Sequence, residues 1–146
     1  MAPTMSGLRQ QLRGNAVAFI SLAVALSSLG YNTWRNERTE HNRNVRTAAF
    51  ELLTKLAEFE RIVYLAQYDR DLQGGNPRVG WTSVLVIRDL SALVPAPVPA
   101  RARELQQAWG ENWEGLGGSD ELSVNRIDGS IDALRAATLT TLTALR

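Results

Sequence analysis

The sequence predicts an all-α fold, in which a single N-terminal transmembrane helix continues into a long helix that forms part of a small antiparallel four-helix bundle. Three observations predict it. Residues 14–34 form an uncharged, mostly apolar run with an arginine on either side. Neither glycine nor proline occurs from residue 31 to residue 73, so nothing local ends a helix there. Beyond residue 44, apolar residues recur at spacings of three and four, which is typical of packed helices.

The run of residues 14–34 is long enough to cross a membrane. A helix of about 21 residues spans a hydrocarbon core of about 30 Å. Tyr31 and Trp34 lie near its C-terminal end, where aromatic side chains commonly meet the membrane surface. Two alternatives stay open: a secretory signal cleaved after the small residues 23–25, and the buried helix of a soluble protein. Apolar residues continue past residue 25, which favours an uncleaved span.

Small residues recur along the predicted span at helical spacing. They are Gly14, Ala18, Ser21 and Ala25. Such a stripe lets two helices approach closely in lipid, so we predict a surface for helix packing within the membrane. The alternative is that an alanine-rich span produces this spacing by chance.

The stretch RGNAVAFISLAVALSSLGYNTWRNE resembles the membrane segment of small bacterial membrane proteins, which implies a location and no mechanism. We expect a single-pass protein of the bacterial inner membrane. The short N-terminal tail is basic and has no acidic residue, as in a signal anchor, which places the C-terminal domain in the periplasm. The basic residues after the run favour the opposite orientation. We expect the periplasmic orientation and leave the other open.

The chain divides into three predicted parts. Residues 1–13 form a polar N-terminal tail, residues 14–34 the transmembrane helix, and residues 35–146 a helical stalk with a soluble helical bundle. The turn sequences QGGNPRVG, PAPVP and GLGGS separate four helices within this last part. We predict these helices at about 35–72, 77–94, 99–113 and 120–145. Asn76 and Pro77 are suited to begin the second, Ser119 is suited to cap the fourth, and PAPVP predicts an extended connector.

The first of these helices changes character along its length. Residues 35–46 are polar on all sides, which indicates a stalk that is solvated or held by a partner. The residues after the stalk follow a heptad rhythm, which predicts a seam against the bundle core or a partner. The seam residues are Leu52, Leu56, Phe59, Val63 and Ala66.

A second apolar stripe lies beside the seam. It consists of Phe50, Leu53, Ala57 and Tyr64. The two stripes together are too wide for a two-stranded coiled coil, so we predict several neighbouring helices. Residues 62–66 are apolar on every side, which predicts that the bundle or another subunit encloses them.

Three tryptophans in the predicted bundle are candidates for a pocket or an interface. Trp109 and Trp113 are four residues apart, so they share one helix face. Together with Trp81 they have three alternative roles: to line a pocket, to anchor an interface, or to pack in the core. In the fourth helix, Gly129 either weakens the helix locally or allows close packing.

The composition offers little for catalysis. The chain has 146 residues, a net charge of +1, no cysteine and one histidine, His41, in the polar stalk. No cluster has metal-ligand spacing, no glycine-rich loop suits a phosphate, and the charge does not indicate nucleic acid. We predict no enzymatic activity, no catalytic residue, no metal, no cofactor and no nucleic-acid partner.

Two functions suit this chain. The first is a non-enzymatic accessory or scaffold subunit of a larger bacterial membrane assembly. Its partners are membrane lipid and either another protein or a second copy, bound through the span and the first helix. The alternative is a sensor-like module that binds a ligand outside the cytoplasm and acts through a partner protein. A span followed by a four-helix bundle is similar in architecture to the extracytoplasmic part of chemoreceptors and sensor kinases, although no motif carries that similarity.

Overall fold

The computed structural model describes residues 14–71, 73–118 and 121–145, and these residues are helical with short turns and no strand. Helix α1 comprises Ala16–Tyr64, and a π-helical turn, Leu65–Asp69, follows it. Helix α2 comprises Pro77–Ser91 and helix α3 Val98–Asn112, after which Trp113–Gly115 form a 3₁₀ turn. Helix α4 comprises Glu121–Ala144. The predicted all-α fold of four helices is confirmed, whereas the predicted tail 1–13 and the cap Ser119 lie outside the described residues.

The chain forms two compact units, with the boundary between His41 and Asn42. In the N-terminal unit, residues 16–41 are helical, and nearly all of their side chains are exposed. In the second unit, which we call the bundle unit, the remainder of α1 packs with the other three helices around one hydrophobic core. All interhelical contacts described below lie within the bundle unit.

The helices of the bundle unit alternate in direction. On α1, Arg46 Nη2 donates to the carbonyl oxygen of Leu145 at 3.4 Å, and Glu60 pairs with Arg135 at 2.5 Å, so α4 runs antiparallel to α1. The rings of Phe59 and Trp109 meet edge to face, with centroids 5.2 Å apart, which places α3 against α1. An edge-to-face pair of buried rings contributes about 0.5–1.5 kcal/mol beyond its buried area.

The predicted seam lies in this core. Leu52, Leu56 and Phe59 are fully buried and Val63 is 1% exposed, whereas Ala66, at the π-helical turn, is half-buried. The second stripe is not enclosed, because Phe50 and Tyr64 are each 57% exposed and Ala57 is exposed as well. Several helices of the bundle unit do pack against α1, as predicted, but they cover the seam and leave most of the second stripe exposed. The neighbours pack on one side of α1 only.

Helix α1 ends in a way that the sequence does not predict. Its α-helical segment ends at Tyr64, and the π-helical turn brings the chain to Arg70, whose backbone is left-handed with φ at 51°. The N–H of Arg70 donates to the carbonyl oxygen of Leu65, and the Asp71 carboxylate accepts from Gln73 N–H at 2.8 Å. These local hydrogen bonds, rather than glycine or proline, terminate the helix, which was predicted to reach about residue 72.

A glycine then lets the chain fold back onto the end of α1. A Cβ placed on Gly75 would lie 2.6 Å from both the backbone nitrogen and the Cα of Ala66. Because backbone cannot yield as a flexible side chain does, only glycine fits this approach. The tight packing of the turn against Ala66 sets the position from which α2 begins.

The bounds of α2 and α3 follow their turn residues. Asn76 Oδ1 accepts from Arg78 N–H at 2.9 Å with Pro77 at the first helical position, which confirms the predicted helix start. The PAPVP stretch, however, is not an extended connector. Val98 N–H donates to the carbonyl oxygen of Pro95 at 3.2 Å, and α3 already begins at Val98, which is fully buried. Burial of this valine in the core favours the turn over an extended chain.

Two helical glycines, Gly129 within α4 and Gly80 in the first turn of α2, are expected to respond to alanine in opposite directions. A Cβ on Gly129 meets nothing within 4 Å, so Gly129→Ala should raise the free energy of unfolding by about 0.5–1 kcal/mol through helix propensity. A Cβ on Gly80 would meet the Trp109 ring, with Cη2 at 2.7 Å, so Gly80→Ala should lower it by about 1–3 kcal/mol through overpacking.

Urea unfolding of the full chain in detergent, followed by circular dichroism, measures both variants. Equal shifts in the same direction would contradict the packing of α2 on Trp109. The sequence left two roles open for Gly129, local weakening of the helix and close packing. The open space around Gly129 agrees with local weakening.

Candidate functional site

The N-terminal unit presents an apolar helical surface. Near the N-terminus, one helix in the described part of the chain is long and apolar enough to cross a membrane, with a mean hydropathy of 1.4 over its most apolar stretch, and none of that stretch is buried. Large apolar side chains are exposed along it, from Val17 at 74% to Leu29 at 65%. Three residues of the predicted small-residue stripe, Ala18, Ser21 and Ala25, lie exposed on this helix, whereas Gly14 precedes its first residue.

Aromatic and basic side chains cluster at the end of the apolar stretch. The rings of Tyr31 and Trp34 have centroids 6.1 Å apart, and the guanidinium carbon of Arg38 lies 4.7 Å from the Trp34 ring centroid. A cation over an aromatic face is attracted by about 0.5–1 kcal/mol at an exposed site. Aromatic rings with a neighbouring cation are typical of residues at a membrane surface.

An apolar surface also lies on α1 within the bundle unit. We call it the exposed stripe, and it comprises Phe50, Leu53, Ala57 and Tyr64 of α1, of which Leu53 is half-buried, and Tyr68 of the π-helical turn. The rings of Tyr64 and Tyr68 have centroids 4.8 Å apart, and Tyr68 is 60% exposed. Phe50, Leu53 and Ala57 line a shallow groove of about 610 Å³ together with Thr54, Glu58 and Arg61. The groove therefore combines apolar side chains with charged ones, as a protein interface does.

Acidic side chains from α1 and α4 gather around Arg135 of α4. This arginine pairs with Glu60 at 2.5 Å and with Asp132 at 2.7 Å. Partial burial, followed by the charges of Glu60 and Asp132, raises the pKa of the neighbouring Asp128 carboxyl. The side chains of these ion pairs are between 32% and 73% exposed, so the pairs contribute little to stability.

Replacing Asp128 with asparagine is expected to change how stability depends on pH. Because folding raises this pKa, the protonated Asp128 carboxyl stabilises the folded protein. This stabilisation is complete below the ordinary pKa of 3.8 and is lost as the pH rises through the folded-state pKa. Asp128→Asn should therefore raise the melting temperature at pH 7 and have no such effect near pH 3. Thermal unfolding between these two pH values measures it, with Asp89→Asn on α2 as the exposed control. Equal effects at both pH values would contradict the shift.

A cavity of about 330 Å³ lies where the end of α1 meets the end of α3. It belongs entirely to the bundle unit. Its walls come from the end of α1 and its turn, the start of α2 and the end of α3, and they contain Ala66, Arg70, Asp71, Gly75, Pro77, Trp109, Trp113, Glu114, Leu116 and Gly117. Cavities of this volume are in the range that holds small ligands.

Trp109, one of the residues that line the cavity, carries a buried hydrogen-bond donor without an acceptor. Trp109 is fully buried, and among the described residues nothing accepts a hydrogen bond from its Nε1–H. Leaving a buried donor unsatisfied costs about 1–3 kcal/mol. The indole is fixed by Phe59 on one side and by Gly80 on α2, so the ring has little freedom to turn towards an acceptor.

Two of the three predicted tryptophans meet at this cavity. Trp109 and Trp113 both line it, whereas Trp81 packs its ring near Gly110 and is not part of the wall. Sequence analysis missed the cavity residues from the turns, including Arg70, Gly75 and Gly117. The paired glycines in GLGGS and QGGN were the available signal, because Gly117 has a φ of 75° and lies against the carbonyl oxygen of Ala66.

No family model, curated protein or solved structure matches this chain. In the described residues, no three His, Cys, Asp or Glu side chains are placed so that they could hold a metal ion. The histidine that the sequence analysis considered, His41, is exposed. The geometry therefore presents three features that can bind another molecule: the apolar surface of the N-terminal unit, the exposed stripe on α1, and the cavity beside Trp109.

Proposed function

We propose that this protein is a non-enzymatic, single-pass, membrane-anchored helical-bundle protein, and that it serves as an accessory or scaffold subunit of a larger bacterial membrane assembly. Residues 14–34 are its anchor in the inner membrane, and the bundle lies in the periplasm. The single observation that carries the proposal is the apolar stretch of the N-terminal unit, of which nothing is buried.

The exposure of that stretch supports a membrane over the soluble alternative. The core helix of a soluble protein is mostly buried, whereas here every large apolar side chain from Val17 to Leu29 is more than half exposed. Exposing so much contiguous apolar surface to water is unfavourable by about 25 cal/mol per Å². A bilayer removes this cost, and the neighbouring Trp34 and Arg38 suit its surface.

The exposed stripe on α1 supports a protein partner for the bundle unit. Soluble surfaces rarely keep contiguous apolar patches without a function, and aromatic residues such as Phe50, Tyr64 and Tyr68 are enriched at the centre of interfaces. Glu58 and Arg61 line the groove beside these apolar residues, so the surface combines apolar and charged side chains, as protein interfaces do. In this proposal, the stripe binds the assembly while the span holds the protein at the membrane.

Fractionation of the full chain from its source tests the anchor. The intact chain is expected to stay with the membrane after carbonate extraction and to keep residues 14–34 by intact-mass measurement. A chain that is released by carbonate, or that begins after residue 25, overturns the anchor. A tag at the C-terminus, tested for protease access in spheroplasts, decides the orientation.

Native mass spectrometry of the detergent-extracted protein tests the partner. The double variant Phe50→Ala and Tyr64→Ala is expected to lose co-purifying subunits while its melting curve changes little. The matched control is Leu122→Ala with Leu139→Ala, which truncates two exposed leucines of α4. Equal loss in both double variants, or no loss in either, contradicts a partner on the exposed stripe.

A sensor-like module is the second candidate function, and one observation favours it. The cavity beside Trp109 has the size of a ligand site. A lone dimer that carries a bound small molecule in native mass spectrometry favours this function, whereas stable additional subunits favour the accessory role.

A further inference from the structure

We propose that the cavity beside Trp109 binds a small, uncharged, aromatic molecule whose carbonyl oxygen accepts the hydrogen bond from Trp109 Nε1–H. The accessory role assigns nothing to this cavity, and the cavity is formed entirely by residues of the bundle unit. The inference therefore does not depend on the anchor or on the exposed stripe.

The shape of the cavity and its aromatic wall support an aromatic ligand. A volume of about 330 Å³ accommodates one ring with a small substituent. The indoles of Trp109 and Trp113 and the side chains of Leu116 and Ala66 provide its apolar wall. Aromatic faces pack well against another ring in offset or edge-to-face geometry.

The unsatisfied indole supports an acceptor on the ligand. Trp109 Nε1 is the one buried side-chain nitrogen or oxygen in the described residues that lacks a hydrogen-bond partner. Buried polar groups are almost always paired, so an exception needs an explanation, and an acceptor on a bound ligand provides one. An indole N–H only donates, so the ligand must present an acceptor, and a carbonyl oxygen is the simplest one on an uncharged ring.

The charges of the wall favour a ligand without net charge. Arg70 supplies one positive charge, and Asp71 and Glu114 supply two negative charges. The Asp71 carboxylate already accepts from Gln73 N–H, and the structure places no ion-pair partner for Arg70 or Glu114 among the residues it describes. An anion would face the carboxylates of Asp71 and Glu114, and a cation would face Arg70, so an uncharged ligand avoids both repulsions.

The backbone at the edge of the cavity has two uncommon conformations. The π-helical turn Leu65–Asp69 and the left-handed Arg70 lie together at its edge. Short π-helical segments and non-glycine residues with positive φ are both enriched at functional sites. Here they place Ala66 and Arg70 in the wall, where a continued α-helix would position them differently.

Indole NMR of the ¹⁵N-labelled full chain in detergent micelles tests the site. The chain has four tryptophans, so four Nε1–H signals are expected, and single Trp→Phe variants assign them. The probes are benzamide, benzoate and benzylammonium, which share one ring and differ in the head group. Each is titrated into the millimolar range, where fragment-sized ligands bind.

Benzamide is expected to shift the Trp109 signal in a saturable manner and to bind more tightly than benzoate. Benzylammonium, which has no acceptor, is expected to leave that signal in place. Trp109→Phe keeps an aromatic ring but removes the donor, and it should weaken benzamide binding by about tenfold. Trp81→Phe is the matched control outside the wall and should leave benzamide binding unchanged.

Three outcomes overturn the proposal. The first is an unmoved Trp109 signal at the highest benzamide concentration. The second is stronger binding of benzylammonium than of benzamide. The third is equal benzamide affinity in wild-type protein and in Trp109→Phe. If Trp109→Phe does not fold, the wild-type protein alone still tests the site. Binding in the cavity moves the Trp109 signal and leaves the Trp34 signal unmoved, whereas without binding neither signal moves.

Discussion

Val63→Arg is expected to lower the free energy of unfolding by roughly 3–5 kcal/mol, because it places a charge without a partner in the core. Val63 is 1% exposed, on the face of α1 that packs against the bundle. Small domains have total stabilities of about 5–15 kcal/mol, so much of the population should unfold at moderate temperature. Loss of helical circular dichroism on heating or in urea, measured on the full chain in detergent, gives the size of the effect.

Tyr64→Arg is the matched control for this prediction. Tyr64 is the next residue on the same helix but is 57% exposed, so its arginine stays in solvent. Its expected effect is below about 1 kcal/mol, as for most surface substitutions. If Val63→Arg and Tyr64→Arg melt at the same temperature as the wild-type protein, the assignment of the buried face of α1 is wrong.

The contrast between Val63 and Tyr64 shows what the heptad rhythm of α1 could predict. The rhythm correctly grouped Leu52, Leu56, Phe59 and Val63 on one face, because residues three and four apart share a side of a helix. It left open whether the packed neighbours would cover the adjacent apolar stripe as well. That choice depends on the number and position of the packed neighbours, and both stripes consist of similar apolar residues.

The ends of the helices were predictable where the chain carries special turn residues. Asn76 and Pro77 mark the start of α2 by hydrogen bonding and by a fixed φ, which are local properties. The end of α1 carries no such mark, since Arg70 adopts a left-handed conformation that the residue type disfavours. In PAPVP, burial of Val98 outweighs the extended preference of the surrounding prolines.

The cavity beside Trp109 was the least predictable feature. The spacing of Trp109 and Trp113 placed both rings on one helix face, and both do line the cavity. Spacing alone could not exclude Trp81, which packs near Gly110 on another part of α3. Glu114, Leu116 and Gly117 of the wall come directly after Trp113. The other wall residues, from Ala66 to Pro77, lie more than thirty residues away along the chain, and only the antiparallel packing of the helices brings them beside the indoles.

Phe59→Ala is expected to cost about 3–5 kcal/mol, which is the range for removing a buried phenylalanine ring. Phe59 is fully buried and meets the Trp109 ring edge to face, so the variant loses apolar burial, leaves a void and removes a ring contact. Phe50→Ala on the same helix is the matched control, because Phe50 is 57% exposed and its truncation should cost less than about 1 kcal/mol.

The pair of phenylalanines also separates stability from assembly. Phe59 contributes to the core, so its loss should lower stability in detergent whether or not a partner is present. Phe50 belongs to the exposed stripe, so its loss should leave the isolated chain folded and weaken only a bound subunit. A Phe50→Ala chain that unfolds as readily as Phe59→Ala would show that the stripe is packed within the bundle, and it would remove the basis for a partner on that face of α1.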